Sequence, residues 1–294
     1  LHLHVGEGMH NIVYALDQKF GRSTLLDPAF TDFQRVETLI IESTYGGPDD
    51  FMPPRAEVEG EFMDVINRTM ERQGIVLVPS FSVERAQEVM AIIAESGFQY
   101  PVYLDGMIWD ANGIFTAYPE YLGRQMQKNI FQGHDPFLNP IFKRIASQQE
   151  REKVWDDRPC VIVSTSGMLL GGPVIQHLHA LAEDPRNTLV FVGFQSEGSL
   201  GRRIQKGWKE IPLDVNGKTS MQQLKMEVYT AEGLSAHSDR NQLLSFVSRM
   251  PMRPDRVICV HGEPVKTVEL ARAIHKLFRV ETFAPKNLES IRLR

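Results

Sequence analysis

Ile75-Val-Leu-Val-Pro-Ser-Phe-Ser-Val-Glu-Arg-Ala-Gln87 runs from an unbroken apolar stretch, through a loop of proline and serine, into a helical segment expected over Val83 to Glu95. Consecutive Ile, Val and Leu residues predict a strand buried on both faces, and a strand that leads straight into a helix is how a parallel sheet is wound. The pattern repeats on either side. A helix is expected from Arg55 to about Arg72, and further strands at Val102-Tyr-Leu104, Val161-Ile-Val163 and Leu189-Val-Phe-Val192. The expected fold class is therefore α/β, with a doubly wound parallel sheet at its centre. Its strands end in small and hydroxylated residues: Pro79-Ser-Phe-Ser82, Ser164-Thr-Ser-Gly167 and Gly193-Phe-Gln-Ser-Glu-Gly198. Ligands of such sheets bind beyond the carboxyl ends of the strands, where loop amides and helix N-termini favour anions. For any one of these loops, ordinary turn and cap chemistry is the plainer explanation.

Before this unit, Leu1-His-Leu-His-Val5 alternates like a strand. Val5 to Tyr14 reads as a hairpin that turns at Gly6-Glu-Gly8 and returns over Asn11 to Tyr14. A strand at Thr38 to Ile41 stops at Glu42-Ser-Thr-Tyr-Gly-Gly-Pro48. After Arg203 come Lys206-Gly-Trp-Lys209, an Asn216-Gly217 turn and a strand at Met226 to Thr230. Ala231-Glu-Gly-Leu-Ser-Ala-His-Ser-Asp239 then leads to a helix, and the strand Val257 to Val260 runs directly into His261-Gly-Glu-Pro264. Val280 to Phe283 and Ile291 to Leu293 read as the last strands.

The 294 residues suffice for two domain-sized cores. No apolar run approaches the roughly 20 residues that span a bilayer, so no membrane segment is expected. The opening lacks a charged region followed by an apolar one and reads as the middle of a domain. Cys160 and Cys259 lie far apart in apolar runs without metal-ligand spacing, as buried thiols of a cytoplasmic protein would. A net charge of -5 confines any nucleic-acid contact to a local patch.

Glu42 and His261 each follow a buried strand, His237 sits in a Gly/Ser loop before a helix, and Asp17 follows Asn11-Ile-Val-Tyr14. Strand ends hold polar side chains rigidly, which metal and acid/base sites need. Singly, each of these residues is more simply structural.

Leu39-Ile-Ile-Glu-Ser-Thr-Tyr-Gly46, Gly233-Leu-Ser-Ala-His-Ser-Asp239 and Val260-His-Gly-Glu263, in that order, resemble motifs A, B and C of the β-CASP metallo-β-lactamases. Pro79 to Gln87 and Thr165-Ser-Gly-Met-Leu-Leu-Gly-Gly-Pro173 resemble strand-end loops of their β-CASP domain. The likeness covers essentially the whole chain and is nearest to archaeal homologues of the cleavage and polyadenylation specificity factor, which carry KH domains. It implies a metallo-β-lactamase αββα sandwich at about 1–47 and 207–294, incomplete at its N-terminal side, with a β-CASP domain inserted at about 48–206. By the same resemblance Asp17 and His261 are metal ligands in a site for a pair of zinc ions, and His237 is the general acid, held by Glu42. Ser80, Ser82, Arg85, Thr165, Ser166, Gly167, Ser199 and Arg202 are expected to contact RNA phosphates.

The resemblance implies a zinc-dependent ribonuclease acting on single-stranded RNA in mRNA 3′-end processing or transcription termination. Endonuclease activity is expected, with 5′-to-3′ exonuclease activity as a further possibility. RNA polymerase and other processing factors are candidate partners, and homodimerisation through Asn287 to Arg294 is expected. The chain departs from the family in two ways. The His-x-His-x-Asp-His motif and the motif 3 histidine are absent, and His2-x-His4 matches the strand that follows motif 3 rather than a ligand pair. Leu16 also stands before Asp17, where relatives carry glycine. The chain is accordingly expected to be an N-terminally truncated piece, inactive by itself. A non-catalytic RNA-binding scaffold is the alternative. A small-molecule hydrolase is disfavoured by the large segment between Glu42 and His237.

Overall fold

The computed structural model describes every residue except Gly8, Met9, Arg22, Asn216 and Arg294. The chain divides into two compact units. The first holds Leu1–Ser23, Pro28–Met52 and Ala236–Arg294, and the second holds Thr24–Asp27 and Pro53–Ser235.

In chain order the strands and helices begin with β1 (His2–Val5), β2 (His10–Ala15), β3 (Thr38–Glu42), α1 (Arg55–Glu71), β4 (Ile75–Pro79), α2 (Arg85–Glu95) and β5 (Val102–Asp105). There follow α3 (Ile108–Ala117), α4 (Arg124–Phe131), β6 (Phe142–Arg144), α5 (Gln148–Val154), β7 (Cys160–Ser164), α6 (Pro173–Leu181), β8 (Thr188–Phe191) and α7 (Leu200–Gln205). The chain closes with β9 (Glu210–Val215), β10 (Lys218–Gln223), β11 (Glu227–Thr230), α8 (Arg240–Arg249), β12 (Arg256–Val260), α9 (Pro264–Phe278) and β13 (Glu281–Phe283).

The second unit is built on a six-stranded sheet in the order β11-β8-β4-β7-β5-β6, and every described pairing in it is parallel. Alternation along its strands explains the two cores. Val76, Val78, Val161 and Val163 pack with Phe62, Val89 and Met90 of α1 and α2, whereas Ile75, Leu77, Cys160 and Ile162 pack with Val174, Leu178 and Ile204 of α6 and α7. Helices on both faces are what continuous apolar strands require. Thr24–Asp27 belongs to this unit because the N–H groups of Thr24 and Leu25 donate to the buried Glu88 carboxylate at 2.9 and 3.3 Å, while Leu25 is fully buried.

The units part at 52/53 and 235/236, rather than at the expected 47/48 and 206/207. The physical reason is hydrogen bonding: β11 pairs with β8 along Glu227 to Thr230, which keeps this stretch and the β9–β10 hairpin with the six-stranded sheet.

The first unit has one sheet, in the order β1-β2-β3-β12-β13, with β1 antiparallel and the rest parallel. Val13, Leu39, Ile41, Val257 and Cys259 face α8 and α9, where they meet Leu243, Phe246, Leu270 and Ile274. Among the described residues this unit therefore has one sheet with helices packed on one face, half of the expected αββα layering. The expected hairpin forms as β1 and β2. Gly6 and Glu7 of its turn take left-handed backbone angles, and Gly8 lies outside the described residues. In the Asn216-Gly217 turn, Asn216 likewise lies outside them. Ile291 to Leu293 form no strand, contrary to the sequence reading: Pro285 interrupts the chain after β13, and Leu288 takes φ of 65° in the turn that follows. No helix of the described residues is long and apolar enough to cross a membrane.

A polar network lies buried at the end of β5. His177 Nε2 meets Asp105 Oδ2 at 2.8 Å, Trp155 Nε1 donates to His177 Nδ1 at 2.9 Å, and Arg151 donates to both Asp105 oxygens at 2.6 and 3.0 Å. The indole donation makes Nδ1 an acceptor and leaves the proton of a neutral ring on Nε2, facing the carboxylate. Burial pushes the Asp105 carboxyl up, but hydrogen bonds from His177 and Arg151 outweigh it and hold the group at about 2. Burial lowers the His177 imidazole below its ordinary value. Both groups have depressed folded-state values, so both stabilise the fold at neutral pH and lose that contribution on acidification. The His177 part begins to go as pH falls below about 6.5, and the Asp105 part goes between about 4 and about 2. Asp105→Ala leaves the buried His177 Nε2–H and the partly buried Arg151 guanidinium without their carboxylate, and it is expected to cost about 3 kcal/mol in urea unfolding at pH 7, with a smaller loss at pH 3.

Candidate metal and acid/base site

The site lies within the first unit, where β2, β3 and β12 end side by side. Each strand delivers one residue. Glu42 is the last residue of β3, Asp17 follows β2 by two residues, and His261 directly follows β12. The pairing of Val260 with Glu42 sets His261 beside Ser43-Thr44. His237 comes from the loop before α8. There Asp239 and Gln242 form a capping box, in which the Asp239 carboxylate accepts from the Gln242 N–H at 2.8 Å.

Glu42 is fully buried, and a buried carboxylate persists only where donors surround it. It has two: the Gln18 N–H at 2.7 Å and His237 Nδ1 at 2.6 Å. The Gln18 carbonyl accepts from the Ser238 N–H and hydroxyl, both at 2.9 Å, and Lys19 Nζ donates to the His237 carbonyl at 2.9 Å. The segment Asp17 to Lys19 thus holds both partners of the Glu42–His237 bond.

Asp17 is exposed, and its Oδ1 stands 3.6 Å from His261 Nε2 and 3.8 Å from His237 Nδ1. One ligand atom from each of the three residues lies within 4.8 Å of the others. The Thr44 hydroxyl is 3.3 Å from Nδ1 of both His237 and His261, whose rings stack with centroids 5.7 Å apart. Tetrahedral bonds of about 2.0–2.2 Å place neighbouring ligand atoms roughly 3.3–3.6 Å apart, so the Asp17–His261 spacing suits a small divalent ion with oxygen and nitrogen donors. His237 Nδ1 is already engaged by Glu42. That leaves two committed donors, where a catalytic zinc takes three.

Two backbone features mark the same place. Asp17 and His261 have φ of 49° and 54°, left-handed values that non-glycine residues adopt at a cost of roughly 1–3 kcal/mol and that cluster at functional sites. Gly262 is required for packing, because a Cβ there would stand 2.4 Å from the Ser43 carbonyl oxygen.

The four expected residues Asp17, Glu42, His237 and His261 are brought together, while Gln18, Lys19, Thr44 and Ser238 were missed. Thr44 and Ser238 lie inside the quoted motifs and Gln18 and Lys19 follow Asp17, so proximity to the ligands was the available signal. His2 and His4 stand elsewhere on the sheet, with rings 4.5 Å apart, and His4 bonds Asn11.

In the second unit, the loops carrying the expected RNA contacts meet at the carboxyl end of the sheet. The Ser80 N–H donates to the Ser164 carbonyl at 2.9 Å, and Gln195 Nε2 donates to the Gly167 carbonyl at 2.8 Å. Ser80, Arg85 and Ser199 are buried. Arg85 pairs with Glu84 at 3.0 Å, and Ser199 caps α7 through the Arg202 N–H. Ser82, Thr165, Ser166 and Arg202 are partly exposed.

Residues 86–204 match the Beta-Casp domain, and residues 221–285 match the Zn-dependent metallo-hydrolase RNA specificity domain. Over its whole length the chain is similar to proteins named transcription termination factor FttA. It is 51% identical to that of Methanocaldococcus jannaschii over 300 residues, 48% to that of Thermococcus kodakarensis over 301, and 45% to that of Lokiarchaeum sp. over 301. It spans 46–47% of the length of these relatives. With the motif residues gathered at one set of strand ends and both domain matches in place, the chain belongs to the β-CASP metallo-β-lactamase family.

Proposed function

We propose that this chain is the acid/base half of a metal-dependent ribonuclease that hydrolyses single-stranded RNA in transcription termination or mRNA 3′-end processing. The observation that carries the reading is the buried Glu42–His237 hydrogen bond beside Asp17 and His261. The names of its archaeal relatives support the termination setting.

Asp17 and His261 would hold a divalent ion, zinc by the character of the matched domain. Such an ion supplies a water acidified for attack and neutralises charge on the phosphate. The chain's own residues do the rest. Glu42 fixes the His237 ring through Nδ1, so that Nε2 is the atom assigned to deliver a proton to the leaving oxygen. Thr44 holds the two imidazoles parallel. Lys19, on the His237 carbonyl, keeps the loop from shifting as the ring gives up its proton. In the second unit the partly exposed Ser82, Thr165, Ser166 and Arg202 are the proposed phosphate contacts. Contacts of that kind position RNA without reading its sequence.

The missing donors are proposed to come from residues outside this chain, in a protein of the relatives' length, and the second half of the αββα sandwich with them. A pair of zinc ions, 5′-to-3′ exonuclease activity, a homodimer formed through the C-terminal segment and contact with RNA polymerase belong to the same proposal, as does a cytoplasmic setting.

The test is cleavage of a labelled single-stranded RNA by such a full-length protein. His237→Ala is expected to slow cleavage about a hundredfold or more while zinc content stays the same, and Glu42→Gln is expected to slow it less. A full-length protein that binds RNA but neither holds zinc nor cuts is instead the scaffold. Zinc titration of the present chain separates the metal roles. Asp17→Asn and His261→Ala are each expected to weaken binding at least tenfold, and His237→Gln to leave it within about twofold. An equal loss for His237→Gln would make that ring a ligand.

A further inference from the structure

Residues 202–209, Arg-Arg-Ile-Gln-Lys-Gly-Trp-Lys, carry four cations and no acid in a chain of net charge -5. The structure gives this run a defined shape. Arg202 and Lys206 are four residues apart and share one side of the α7 end, where both reach the Glu197 carboxylate, at 3.6 and 2.6 Å. The helix then closes on Gly207, whose φ is 92°. The Gly207 N–H donates to Ile204 and the Trp208 N–H donates to Arg203, at 2.9 and 3.2 Å. This closure folds Trp208 back over Arg203, whose guanidinium lies 5.1 Å from the indole ring. The Lys209 carbonyl is tied to the Leu224 N–H at 2.7 Å, so the backbone is held on both sides of Trp208. It is nevertheless 44% exposed, with exposed Arg203, Lys206 and Lys209 around it.

We propose that Trp208, backed by Arg203 and flanked by Arg202, Lys206 and Lys209, is a binding subsite for single-stranded RNA: a base stacks on the indole while the cations take the adjoining phosphates. An exposed, preorganised indole among cations suits a polyanion whose bases have open π-faces, and an apolar protein surface would give the exposed Arg203 and Lys209 no counter-charge. Glu197 occupies the position on Arg202 and Lys206 that a phosphate would compete for. The proposal rests on RNA being the substrate, and it extends the contact from Arg202 along the end of α7 to Trp208.

The test is fluorescence anisotropy of a short fluorescein-labelled oligouridine with the present chain in EDTA, where no cleavage occurs. Trp208→Ala is expected to weaken binding about tenfold, the scale of one lost base stack, and Trp208→Phe to restore most of it. Lys206→Gln is expected to make the dependence of affinity on salt shallower by about one ion. Equal affinities for Trp208→Ala and the unaltered chain overturn the proposal. So does a Trp208→Phe as weak as the alanine variant, or an unaltered chain that binds no oligouridine. Failure of the nuclease reading shows differently, as full-length protein that binds RNA and leaves it uncut.

Discussion

A fully buried carboxylate bonded to an imidazole at 2.6 Å is the constraint around which the first unit is organised. A carboxyl group buried there needs hydrogen-bond donors, and the two that Glu42 has come from segments far apart in sequence, at Gln18 and His237. Satisfying it therefore fixes the end of β2 against the loop before α8. Ser238 completes the closure by donating to the Gln18 carbonyl, and the capping box at Asp239 starts α8 in the orientation this needs. His261 enters from a third direction, through the register of β12 against β3. The site is thus a consequence of three strand ends and one capped helix agreeing on a single carboxylate.

Strain sits where the chemistry is expected. Asp17 and His261, the two candidate ligands, are among the few non-glycine residues with left-handed backbone angles. Gly262 lets the β12 end approach Ser43 more closely than any side chain would allow. Strain of this kind is maintained by the packing of the strands behind it, Leu39, Ile41, Val257 and Cys259 against α8 and α9. In the second unit the deeply buried His177 is kept from charging by burial, with an indole donor on one ring nitrogen and, on the other, an aspartate that two further donors hold.

Most of this was legible in the residues. Continuous Ile/Val/Leu runs gave the parallel sheet because burial on both faces leaves no room for alternation, and the strand-end Glu42 and His261 pointed to the candidate site because strands end where polar groups are tolerated. Three features were not legible. The boundary at 235/236 depends on β11 pairing with β8, a contact between segments whose local patterns say nothing of each other. The tail at Ile291 to Leu293 has strand-like composition but no partner to pair with. The burial of Arg85 and Ser199 goes with ion-pair and cap roles that residue types alone do not show. In each case the sequence shows what a residue is able to bond, and the tertiary arrangement decides what it does bond.

The proposed division of labour puts Asp17 and His261 on the metal and His237 on the proton, with Glu42 keeping them apart. Crystals of this chain soaked in a zinc salt, with anomalous difference density collected at the zinc edge, test it most directly. The account predicts density bonded to Asp17 and His261 with His237 Nδ1 still on Glu42. Density bonded to His237 with the Glu42 contact broken, or density at neither Asp17 nor His261, would contradict it.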